Sequence, residues 1–173
     1  MASLIENLIT ELNEEYAVYE KLLEVSMEKT SAIVSNNLDR LKETTDKEQY
    51  LVDVVTGMEN VRHGTMRDIA SVINKREELR VIDIADFLEG QPEFRNPLLE
   101  INEKLGKLAK KLKEVNSHNQ NLINESLSMI EYNINLLQNL NRAPETAEYS
   151  KDMFRQTNGY QDRVTTERFD AKQ

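Results

Sequence analysis

From Leu98 onward apolar side chains recur at steps of three and four: Leu98, Ile101, Leu105, Leu108, Leu112, Val115, Asn119, Leu122, Ser126, Met129, Asn133, Leu136 and Leu140. This is the seam of a heptad repeat held without a slip, and it predicts one long helix ending at about Asn141. At about 1.5 Å per residue that helix is roughly 65 Å long, more than a compact domain of this size needs, so the spacing predicts a rod. Beside the seam, Ile123, Leu127, Ile130, Ile134 and Leu137 form a second stripe. Two stripes demand two packing surfaces, whether a wide face buried in a three-helix core or a face for another helix, another subunit or a partner protein.

Upstream the same rhythm appears twice. Ser3 and Glu6 have the spacing of a capping box, after which Ile5, Ile9, Leu12, Tyr16, Tyr19, Leu23 and Ser26 line one face of a helix reaching about Val34. Ser35-Asn36-Asn37 suits a tight turn whose Asn caps the next helix. That second helix is expected from about Asn37 to about Glu77, with a bend or break allowed at Gly57 or Gly64. In its seam stand Glu59 and Arg62, three apart, a pair suited to fixing register rather than to chemistry. Between Arg80 and Asn96 the period stops; one short helix around Ile84–Leu88, closed by Gly90, is expected there, and Asn96-Pro97 reads as the start of the long helix. Short connections make successive helices antiparallel. The fold expected is therefore all-α: an elongated antiparallel three-helix coiled coil over residues 3–141, with a short connecting helix and a flexible tail over 142–173. That tail loses the period and turns polar, yet holds Tyr149, Phe154, Tyr160 and Phe169, a clustering that suits short docking motifs or a tail folded back on the rod.

Composition agrees with this picture: among 173 residues, 39% hydrophobic and 31% charged, only five Gly and three Pro occur, too few for a turn-rich β fold. A net charge of −9 argues against nucleic acid as a main partner. The Lys104, Lys107, Lys110, Lys111, Lys113 cluster reads as the solvated outer face of a helix. With no cysteine, no run of 18 apolar residues and no basic-then-apolar leader, neither disulfides nor membrane insertion nor secretion is expected, and the cytosol is the default compartment. His63 and His118 lie in no metal-binding arrangement, and no phosphate-binding loop, nucleophile elbow or cysteine nucleophile occurs. No catalytic residue, cofactor or metal is expected.

The Asn37-Leu38-Asp39-Arg40-Leu41 restart, Lys47-Glu48 with Leu51, Glu59-x-x-Arg62, and the Asn116-x-x-Asn119-x-x-Leu122-Ile123 run leading to Leu127 and Ile130 succeed one another in a particular order. In that order and spacing, over roughly residues 3–150, the sequence resembles the FlgN family of flagellar export chaperones, which serve the hook-filament junction proteins. The resemblance implies an ATP-independent cytosolic chaperone that binds the C-terminal helical segment of its cargo. It would prevent premature assembly and deliver the cargo to the flagellar type III export gate and its ATPase-associated components. Family members end in a short Tyr-centred motif followed by Asp and Gly; Tyr149-Ser150-Lys151-Asp152 resembles it, with Met153 in the place of Gly and Tyr160, next to Gly159, as the rival. The stripe itself supplies a compatible mechanism, a cargo helix lying against Asn119, Leu122, Ile123, Leu127, Ile130, Ile134 and Leu137. A structural coiled-coil tether or oligomerisation module is the alternative, and the residues leave monomer and homodimer open.

Overall fold

The computed structural model describes residues 1–75 and 79–142. Among them are four helices: α1 (Ala2–Val34), α2 (Leu38–Val72), α3 (Val81–Phe87) and α4 (Pro92–Arg142). The fold is all-α. α4 passes from one compact unit, residues 1–124, into a second that begins at Glu125.

α1 ends where the sequence says it must. Asn36 takes the left-handed conformation at φ 51°, and the Asn37 and Asn36 amides donate back to the Ala32 and Ile33 carbonyls at 3.0 and 3.1 Å, satisfying acceptors that the helix end would orphan. Asn37 then opens α2, its Oδ1 accepting from the Arg40 amide at 3.0 Å. The device recurs at the other end of α2. Asn74 adopts φ 59° and the Lys75 amide donates to the Ala70 carbonyl at 2.9 Å, so the helix stops at Val72, short of the expected Glu77. Since Gly carries no Cβ penalty in this region, Asn36→Gly is expected to raise the unfolding free energy by up to about 1 kcal/mol, measurable by urea titration; a loss would mean that the Asn side chain, not its backbone tolerance, is what the turn uses.

Three further boundaries differ from expectation. Ser3 lies inside α1, whose cap is Met1 without a side-chain hydrogen bond, so the Ser3–Glu6 capping box does not form. α2 runs through Gly57 and Gly64 unbroken, its neighbours supplying enough packing to offset their low propensity. α4 begins at Pro92, not at Pro97. Pro92 occupies the first helical position, where a missing N–H costs nothing, and Pro97 is carried inside the helix at the loss of one bond to an exposed turn. The short helix is found at Val81–Phe87, its first-turn Asp83 accepting from the Arg80 amide at 2.9 Å.

Within the first unit the main core gathers Ile5, Leu8 and Leu12 of α1, Met66, Ile69 and Ala70 of α2, Val81, Ile84, Ala85 and Leu88 around α3, and Leu98 and Ile101 of α4. Each fully buried Leu or Ile contributes roughly 1.5–3 kcal/mol. A second, smaller cluster joins Leu22 and Leu23 to Leu112. The contacts fix the directions: α1 and α2 run antiparallel, and the Asn119–Ser26 contact, with Leu98 beside the start of α1, runs α4 along α1 in the same sense.

Polar layers alternate with the apolar ones. Glu15 of α1 is buried at 3% exposure, and Arg62 Nε of α2 lies 2.9 Å from its Oε2, oriented as an ion pair rather than as a straight hydrogen bond. Burial raises the Glu15 pKa, and the opposing attraction of Arg62 only partly offsets it. Tyr19, its own pKa raised by burial and by the charges of Glu59 and Glu15, donates its hydroxyl to Glu59 Oε1 at 3.3 Å. Glu59 and Arg62 therefore each reach across to α1 within one layer. Nearby Thr65 donates to Glu11 Oε1 at 2.7 Å.

Candidate functional site

The second unit is described over residues 125–142, a helical stretch with neither Gly nor Pro. Its large apolar side chains are exposed: Leu127 54%, Met129 67%, Ile130 53%, Tyr132 66%, Ile134 48%, Leu136 46%, Leu137 61% and Leu140 63%. At about 100° per residue the two stripes merge into one arc covering about half of the helix circumference, with Leu136 and Met129 at one margin and Leu127 and Ile134 at the other. The opposite half is polar apart from Tyr132, which lies beyond the Leu136 margin. Glu125 and Glu131 stand just outside the two margins, and no Lys, Arg or His occurs between residues 125 and 141.

The same helix behaves differently in the first unit. Leu98 is fully buried, Ile101 and Leu112 nearly so, and the seam ends in a polar layer at Asn119. Asn119 is 4% exposed: its Nδ2 donates to the Ser26 carbonyl at 2.9 Å and its Oδ1 accepts from the Thr30 hydroxyl at 2.6 Å. Around it Ser26 Oγ donates to Glu48 Oε1 at 2.9 Å, and Lys29 Nζ pairs with Glu48 Oε2 at 2.6 Å. Ser26 is wholly buried, so this network sets the register of α1, α2 and α4.

Of the residues expected on one cargo-binding stripe, the structure thus brings four together on the exposed arc: Leu127, Ile130, Ile134 and Leu137. Leu122 and Ile123 are half-buried. Asn119 is part of the interior, its amide engaged by α1, and this corrects its place in the stripe: a seam Asn has a demand for hydrogen bonds that a neighbouring Ser and Thr meet. Reasoning from the stripes missed that Met129, Leu136 and Leu140, read as seam, share the exposure of their neighbours, and it did not place Tyr132 at all. Tyr149 and Tyr160 lie outside the described residues.

Among the described residues no group of three or more His, Cys, Asp or Glu is arranged to hold a metal ion, and no helix is long and apolar enough to cross a membrane. Lys104 and Lys107 of the basic cluster pair with Glu100 and Glu103 one turn back, each at 2.6 Å. The chemistry of the exposed arc is the burial of apolar surface. Compared with known families, the chain matches over residues 1–152 the family described as FlgN protein. Comparison with curated proteins gives no match, and comparison with solved structures gives none.

Proposed function

The chain belongs to the FlgN family, a family of flagellar export chaperones, and on that premise we propose that its cargo is the C-terminal helical segment of a hook-filament junction protein, bound along the arc of α4 between Leu127 and Leu140. One observation carries the reading: eight large apolar side chains lie exposed within fourteen consecutive residues, from Leu127 to Leu140, while in the seam of the same helix Leu98, Ile101 and Leu112 are buried and Leu105 and Leu108 half-buried. Soluble proteins rarely leave a contiguous apolar patch of such extent without a partner. An amphipathic cargo helix laid along it replaces water by apolar contact and covers the surface through which the cargo would otherwise polymerise. Bound cargo is held in the cytosol and delivered to the export gate and its ATPase-associated components. Tyr149 is proposed as the residue read by the gate in preference to Tyr160, since the family match, ending at residue 152, includes Tyr149.

The paired substitution Ile130→Asp, Ile134→Asp is expected to abolish co-purification of the junction protein while changing the stability of the free chaperone by less than about 0.5 kcal/mol, as exposed sites do. Helical content and thermal midpoint are the controls. If the pair unfolds the free protein, those side chains belong to a core and the cargo assignment falls. If the wild-type chain instead self-associates through the arc and ignores the junction protein, it is an oligomerisation module.

A further inference from the structure

Asn133 sits near the middle of the exposed arc. Met129, Ile130, Leu136 and Leu137, at three and four residues on either side, are its neighbours on the helix surface, and all are about half exposed or more. Whatever covers the arc must also cover this amide. A polar group taken from water without a partner forfeits much of what the surrounding apolar contact supplies, so an occupant that were uniformly apolar would be penalised at this one place. The molecule shows how the same problem is solved in its own interior. Asn119 stands two heptads earlier at the same seam position, and there the neighbouring helix offers a hydroxyl, Thr30 Oγ1 at 2.6 Å, and a main-chain carbonyl, Ser26 O at 2.9 Å.

Charge narrows the occupant further. Glu125 and Glu131 border the two margins of the arc with no cation from residue 125 to 141, so a second copy of this chain would bring two more carboxylates against them. A helix whose apolar stripe is bordered by Lys or Arg meets them favourably.

We propose that Asn133 is the specificity-determining residue of the arc. It selects a partner helix that carries a single Ser, Thr, Asn or Gln within its apolar stripe, facing Asn133, and basic residues along the stripe's borders. The assignment rests on the cargo reading above and adds to it the feature by which one helix is preferred over another. A polar group in the seam fixes register and rejects helices that lack a match.

The test is a double-mutant cycle with the C-terminal helical segment of the junction protein as probe, titrated against the full-length chain. Each Ser, Thr, Asn and Gln in the apolar stripe of the segment is replaced by Leu in turn, and each version is measured against wild type and Asn133→Leu. One replacement is expected to weaken binding to wild type by about tenfold and to bind Asn133→Leu at least as well as the unmodified segment does, because only that pairing leaves no amide or hydroxyl unpartnered. Glu131→Lys is expected to weaken the unmodified segment without altering that preference. Binding in which no replacement is coupled to Asn133 overturns the specificity assignment and leaves the cargo surface standing. Absence of any binding to wild type overturns both. Dimerisation of the free chain that is lost in Ile130→Asp overturns the choice of a basic partner over a second copy.

Discussion

Arg62→Met is expected to lower the unfolding free energy by about 3 kcal/mol at pH 7, one of the largest effects available from a single surface-reaching side chain in this protein. The reason lies in its partner. Glu15 is buried at 3% exposure, its pKa already raised by burial against the pull of Arg62, and Glu59 adds a second negative charge to the same layer. Without the guanidinium the carboxylate loses its main counterion and keeps only the lesser attraction of His63. Its pKa in the folded state then moves further above the ordinary value of 4.5, whereas in the unfolded chain it remains there. Below that value Glu15 is neutral in both states and costs nothing. As pH rises past it the unfolded state ionises first, so the variant loses stability until the folded pKa is passed, and the deficit relative to wild type is larger at pH 7 than at pH 5. The double variant Glu15→Leu, Arg62→Met is expected to regain wild-type stability or exceed it, since a well-packed apolar pair needs no compensation for desolvation. Urea titrations at the two pH values check this. A single-variant loss under about 1 kcal/mol, or a double variant as weak as the single, would show that the pair is effectively solvated.

A second contrast uses one residue type on one helix. Leu98→Ala is expected to cost about 3 kcal/mol, because Leu98 is 0% exposed and its removal leaves a cavity among Ile5, Ile84 and their neighbours in the core. Leu127→Ala, at 54% exposure, is expected to cost less than about 0.5 kcal/mol. Binding reverses the order. With the protein folded, Leu98→Ala captures the junction segment as wild type does, whereas Leu127→Ala, trimming the arc, weakens capture several-fold. Chemical denaturation and a titration of each variant separate the two readouts. Equal destabilisation by both would place Leu127 in a core and deprive the cargo reading of its surface.

These contrasts mark how far periodicity reaches. The heptads locate α1, α2 and α4, and the Asn residues locate the turn between the first two, because helix period and αL tolerance are local properties that a few neighbouring residues decide. Sequence signals misplace the start of α4 by five residues, at Pro97 rather than Pro92, since both prolines carry a start signal and only the packing of the chain after α3 chooses between them. Glu59-x-x-Arg62 is legible as a pair in a seam, but Glu15 is not legible as the ion partner of Arg62, being far away in sequence and alike to any solvated carboxylate. Asn119 and Asn133 are indistinguishable in the sequence, two heptads apart in a single frame. The interior claims the first through Ser26, 93 residues away, and leaves the second at the surface. Period alone determined which residues share a face of each helix; only the tertiary structure decided which faces are covered and by what, because burial depends on a neighbour brought in from elsewhere in the chain and not on the spacing of the residues it covers.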